Sequence, residues 1–120
     1  MKAHAAVAAE FLGDEVVDAA LADIESSPLS EPEKTLFRFV EKVNRESHEI
    51  DQEDIDRLHG AGWNDEAIYD AAIVCALFNF YNRWVDAAGV PPMTDEAHRG
   101  AARRMAIHGY LRTGTPAATS

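Results

Sequence analysis

One cysteine and five histidines are the residues of this 120-residue sequence best suited to nucleophilic or acid–base chemistry. Cys75 lies in AIVCALF, the longest apolar run, where burial disfavours the reactive thiolate. The sequence holds no second cysteine to resolve an oxidised one, so no intramolecular disulfide can form. We therefore interpret Cys75 as a core residue, with pairing of two Cys75 thiols across a symmetric interface as the alternative.

Four of the five histidines, His48, His59, His98 and His108, do not form a metal-binding motif. The sequence has no HExxH and no pair of histidines at i and i+4, and His98 and His108 have no carboxylate ligand pattern beside them. We therefore expect neither a metal nor another cofactor. Acid–base chemistry by His48 or His59 stays open, although nothing in the sequence brings these two side chains together.

Polar residues follow Cys75 along what we predict to be the longest helix. One stripe at spacings of three and four comprises Ile68, Ala72, Cys75, Asn79, Asn82 and Asp86. Buried polar groups need partners, so we predict a hydrogen-bond network between helices or subunits, including an Arg83–carboxylate pair. A small polar pocket is the alternative.

Six helices joined by short turns must position these side chains, because helix start and stop signals are frequent and strand signals are nearly absent. The predicted helices are 1–12, ended by Gly13; 15–23, capped by Asp14; one capped by Ser30 with Glu33 and fraying near Ser47; 52–60, capped by Asp51; 65–88, capped by Asn64 and ended by Gly89; and 95–112, capped by Thr94. The residues predicted to face inward are Leu36, Phe37, Phe39, Val40 and Val43, then Ile55 and Leu58. The predicted fold is all-α, with one domain over 1–112 and a flexible tail over 113–120.

From Ala71 to Tyr81 the long helix is apolar on nearly every face. A helix that is apolar all round is buried all round, and in a domain of this size that predicts a partner subunit. We therefore expect a homo-oligomer.

The charge balance argues against two classes of partner. The formal net charge is −10, and such a surface repels phosphate backbones and anionic lipids. We therefore expect binding neither to nucleic acid nor to a membrane. No apolar run approaches a membrane span and no signal peptide is visible, so with a single cysteine the sequence favours the cytoplasm.

Two stretches, LHGAGWNDEAIYDA and ALFNFYNRWVDAAGV, lie in the segment from Leu29 to Val90. This segment resembles the C-terminal half of peroxidase-related proteins of the AhpD-like superfamily, which also contains carboxymuconolactone decarboxylase. The resemblance implies an AhpD-like helical fold that is usually oligomeric through its long helices. It also implies a chemistry: in alkylhydroperoxidase-type members one cysteine of a CxxCxxxH motif attacks the peroxide, the other resolves it, and the histidine and an upstream glutamate transfer protons.

His4 stands where that motif's histidine would be, because relatives continue from it into a stretch similar to HAAVAAEFLGDEVVDAALAD. The resemblance thus makes His4 the remaining proton-relay residue, although an exposed first-turn histidine is the alternative. Both motif cysteines and the glutamate would precede Met1. We expect one of three explanations: the sequence starts at an internal methionine of a longer gene, the chain was trimmed, or the protein is a degenerate paralogue that lost the motif.

The function implied is that of a peroxidase-related antioxidant oxidoreductase of the peroxiredoxin type, which a dithiol reductant would recycle in its full-length form. Without the thiol pair, we expect this chain to be inactive. One alternative is a non-catalytic helical oligomerisation module. Another is a thiol-independent lyase of the carboxymuconolactone decarboxylase type, which would need two or three of His4, His59, Arg83 and a carboxylate to converge.

Overall fold

A computed structural model describes residues 2–109, apart from the side chains of residues 2 and 3. This part of the chain is helical and contains no strand. Its helices are α1 (Lys2–Leu12), α2 (Asp14–Ala22), α3 (Glu31–Glu46), α4 (Gln52–Gly60), α5 (Asp65–Ala87) and α6 (Asp95–His108), with a 3₁₀ turn at Ser47–Glu49. The predicted all-α class and its six helices are confirmed. The AhpD-like fold and the oligomer stay predictions.

The helices form two compact units. One comprises residues 2–22 and 92–109, and in it α1 packs against both α2 and α6. The other comprises residues 23–91, and in it α3 packs against α4 and α5. The single domain over 1–112 stays a prediction, and the tail over 113–120 lies outside the described residues.

Side-chain caps begin four of the helices, as predicted. The caps are Ser30, Asp51, Asn64 and Thr94. At Ser30 the hydroxyl accepts from the backbone N–H of Glu33, and the Glu33 carboxylate accepts from the backbone N–H of Ser30 at 2.8 Å. This reciprocal box satisfies two amides that the first turn of a helix leaves unpaired.

Three local predictions are corrected. Asp14 lies inside α2 instead of capping it, because the Gly13 carbonyl already accepts the first bond of that helix from Val17. The last helix ends at His108, before the predicted Arg112, because Gly109 leaves the helix at a φ of +64°. Phe37, predicted to be buried, is 43% exposed.

The core of the second unit lies where α3, α4 and α5 meet. Phe39, Leu58 and Ile68 are buried there, and Leu58 has no exposed surface. Around them pack Leu36, Val40, Val43, Ile50, Ile55, Trp63 and Ala72. The Trp63 indole N–H donates to the Pro32 carbonyl at 2.8 Å, which ties the turn before α5 to the start of α3.

None of the helices in the described part of the chain has the length and apolar character required to span a bilayer.

Candidate functional site

The cysteine lies in the core of the second unit, as predicted. Cys75 is 8% exposed on α5, and its Sγ is 3.7 Å from the Val40 carbonyl of α3. The amide of Asn79, one turn further along α5, also reaches Sγ at 3.7 Å. Nucleophilic thiols are partly exposed, whereas Cys75 is buried.

A short polar network continues from Cys75 along α5. The Asn79 Nδ2 group donates to Asn44 Oδ1 on α3 at 2.6 Å and to the Cys75 carbonyl at 3.1 Å. Asn79 Oδ1 in turn accepts from Arg83 Nη1 at 2.7 Å. The predicted interhelical network is confirmed at Asn79. Arg83 donates to this amide instead of to the predicted carboxylate.

His4 lies at the surface of α1, where partial loss of solvent lowers the pKa of its imidazole from the ordinary value. Its assignment as a catalytic residue stays a prediction.

A cleft of about 600 Å³ lies in the first unit, between α1, α2 and α6. Small alanines of α1 line one side, beside Glu10, and His98 and Arg103 of α6 line another. Glu10 is 3.7 Å from Arg103, and the Nδ1 atom of His98 is buried without a hydrogen-bond partner. Glu10 and His98 could transfer protons, and the cleft is partly open to solvent. This cluster could not be predicted from the sequence, because Glu10 and His98 are distant in the chain.

Of the groups named for a thiol-independent lyase, His59 meets a carboxylate but not Arg83. His59 Nε2 lies 2.6 Å from Asp65 Oδ1, at the junction between α4 and α5. Arg83 lies five turns along α5 from Asp65, or about 27 Å at the helical rise. His59 and Arg83 therefore share no pocket, and this alternative stays a prediction.

The remaining histidines stand apart from one another. His48 is 80% exposed in the turn after α3, and His108 is the exposed last residue of α6. Within residues 2–109, no group of three or more His, Cys, Asp or Glu residues could hold a metal ion.

An ion cluster that sequence reasoning missed joins α3 to α4. Asp54 is 8% exposed, and its carboxylate accepts from Lys42 Nζ at 2.6 Å and from Arg57. It also accepts from the backbone N–H of Asp51 at 3.1 Å, which closes the capping box of α4. The bond from Lys42, with that from Arg57, holds the pKa of the Asp54 carboxyl well below its usual range. The cluster fastens two helices together.

Seven large apolar residues of α5 are exposed, and we call them the α5 apolar face. They are Tyr69, Ile73, Val74, Leu77, Phe80, Tyr81 and Trp84, with exposed fractions from 40% to 67%. At about 100° of rotation per residue they lie opposite the stripe of Ile68, Cys75 and Asn79 that packs on α3. Large contiguous apolar patches that are exposed on a protein surface usually mark interaction sites.

Ring contacts link the aromatic part of the α5 apolar face. Phe80 and Tyr81 pack edge to face with centroids 5.2 Å apart, and Tyr81 lies 6.5 Å from Trp84. Such pairs contribute about 0.5–1.5 kcal/mol beyond the area they bury. Three of the seven residues of the face therefore form one aromatic cluster.

Comparisons of the chain with known protein families, with curated proteins and with solved structures found no match.

Proposed function

We propose that this chain is a peroxidase-related helical protein that resembles the thiol-dependent alkyl hydroperoxide reductases but cannot reduce peroxides with the residues it holds. The observation that carries this proposal is the position of the sole cysteine. A dithiol cycle needs an accessible thiolate and a second thiol to resolve the sulfenic acid. Cys75 is buried against α3, and the sequence contains no other cysteine.

The order of elements between Leu29 and Val90 supports the AhpD-like part of the proposal. A capped helix, α3, is followed by a short turn, the short helix α4, a glycine turn and the long helix α5. The resemblance implies this same order.

We also propose that the protein acts as a homo-oligomer. The α5 apolar face supports this, because an isolated chain would leave seven large apolar side chains in water. Self-assembly would make the chain a non-catalytic oligomerisation module that retains the scaffold and lacks the thiol chemistry.

An assay of peroxide consumption with a dithiol reductant tests the chemistry. Hydrogen peroxide and an organic hydroperoxide should both be consumed at the background rate, and Cys75→Ala should behave like the original chain. Robust turnover that Cys75→Ala abolishes would overturn the proposal and identify Cys75 as a nucleophile. Light scattering on the same samples tests self-assembly, for which a monodisperse monomer is the contrary result.

A further inference from the structure

We propose that the α5 apolar face binds the same face of a second copy of this chain, with the two α5 helices antiparallel and Leu77 at the two-fold axis. This inference rests on the self-assembly part of the proposed function and adds the orientation and the register of the two helices.

The exposed area of the face is close to what one side of a dimer interface needs. Tyr69, Phe80, Tyr81 and Trp84 are 67%, 61%, 51% and 61% exposed. At roughly 200 Å² for each aromatic side chain, they present about 500 Å² of surface. The three aliphatic residues add roughly 100 Å². Stable interfaces bury about 800 Å² on each partner, so residues flanking the face need to contribute only the remainder.

Side-chain size favours the antiparallel orientation. The bulky residues Phe80, Tyr81 and Trp84 lie in the C-terminal half of α5, and the smaller Ile73 and Val74 lie in the N-terminal half. Antiparallel pairing about Leu77 sets the large half of one helix against the smaller half of the other, which fills the interface evenly. Parallel pairing would set Phe80 and Tyr81 against their own copies and leave a gap where Ile73 and Val74 meet theirs.

Charge favours the same orientation. Glu66 and Asp70 lie at the N-terminal end of α5, on the same side of the helix as the apolar face. Parallel pairing would bring these acids beside their own copies, and it would also align the two helix dipoles unfavourably. In the antiparallel register, the acids of the two copies lie at opposite ends of the interface.

The proposed interface has a consequence for the cysteine. Cys75 faces α3, on the opposite side of α5 from Leu77. Pairing through the α5 apolar face therefore keeps the two Cys75 thiols apart, contrary to the alternative that a symmetric interface joins them.

Cysteine cross-linking tests the orientation and the register. The variants are Leu77→Cys, Tyr69→Cys and Trp84→Cys. Each is treated with a short bis-maleimide whose span matches the distance of about 8–10 Å between the axes of two packed helices. Leu77→Cys should give a covalent dimer by itself. Tyr69→Cys and Trp84→Cys should each give little dimer alone and a strong dimer band when mixed. The original chain, with only Cys75, should stay uncross-linked.

The outcomes separate this inference from the proposed function. Self-cross-linking of both Tyr69→Cys and Trp84→Cys would indicate parallel helices and overturn the inference while leaving self-assembly intact. A dimer by light scattering with no cross-link in any variant would place the interface elsewhere. A monomer would overturn both. Circular dichroism confirms that each variant is folded before cross-linking.

A charge substitution gives an independent readout. Leu77→Lys would bring two ammonium groups together at the two-fold axis, so we expect dimerisation to weaken by roughly tenfold or more. The matched control is Ile107→Lys on α6, where the side chain is 74% exposed and outside the α5 apolar face. Equal dimerisation of the two variants would contradict the proposed interface.

Discussion

Replacing Asp54 by asparagine removes the negative charge at the centre of the ion cluster and keeps the shape of the side chain. The carboxylate accepts three hydrogen bonds, from Lys42, from Arg57 and from the backbone of Asp51. Two of these bonds are charge-assisted. The substitution therefore tests whether the cluster holds α3 against α4.

The expected loss of stability depends on how exposed Asp54 and its two charged partners are. Bonds to a charged group contribute about 1.5–3 kcal/mol when the group is buried, and the Asp54 side chain is 10% exposed. The partners can partly recover hydration, because Lys42 and Arg57 are 27% and 60% exposed. We expect Asp54→Asn to lower the free energy of unfolding by about 2 kcal/mol at neutral pH, as measured by urea denaturation.

The loss should depend on pH with a definite sign. The folded-state pKa of Asp54 lies below the ordinary value of 3.8, so the cluster stabilises the fold fully at pH values above that value. As the pH falls from there towards the folded-state pKa, protonation removes the stabilisation. The stability difference between the original chain and Asp54→Asn should therefore shrink in acid.

Glu53→Gln is the matched control, since Glu53 is the neighbouring acid on α4 and is 82% exposed beside Arg57. We expect it to change stability by less than about 0.5 kcal/mol. If Asp54→Asn were no more destabilising than Glu53→Gln, or if its effect were the same at pH 7 and in acid, the assigned role of the cluster would be refuted.

Two further substitutions test the second unit by the same denaturation assay. Leu58→Ala should lower the free energy of unfolding by about 3 kcal/mol because Leu58 is fully buried. The control Ile107→Ala, at a 74% exposed site, should lower it by almost nothing. Equal losses would contradict the assigned core. Ser30→Ala should lower the free energy of unfolding by about 1 kcal/mol, because it removes the capping box of α3. The control Ser26→Ala, in the preceding turn, should leave stability nearly unchanged. A larger loss for Ser26→Ala than for Ser30→Ala would argue against the cap.

Helix positions could be read from the sequence because their signals are local. Ser30 with Glu33, and Asp51, Asn64 and Thr94, are caps that act within one turn of the residue itself. The glycines that end α1 and α5 have positive φ values, which follow from the absence of a side chain. Asp14 was misjudged because the preceding glycine already supplied the first carbonyl of α2.

The face of α5 that packs on α3 was not fully determined by periodicity, because apolar residues occur on nearly all sides of that helix. The packed side carries the small residues Ala72 and Cys75, and the open side carries rings such as Phe80 and Trp84. Small side chains let two helices approach closely, so side-chain size decided the orientation where hydrophobicity did not. Phe37 on α3 was misplaced by the same reliance on hydrophobicity.

The sequence by itself determined where most helices begin and end, apart from the start of α2 and the end of α6, and that the single cysteine lies in a core, since both depend on short-range patterns. Only the tertiary structure decided that Asp54 meets Lys42, that Glu10 and His98 line one cleft, and that an aromatic face of α5 stays exposed. Those features join residues from different helices. Their positions depend on how helices pack, which local propensity does not specify.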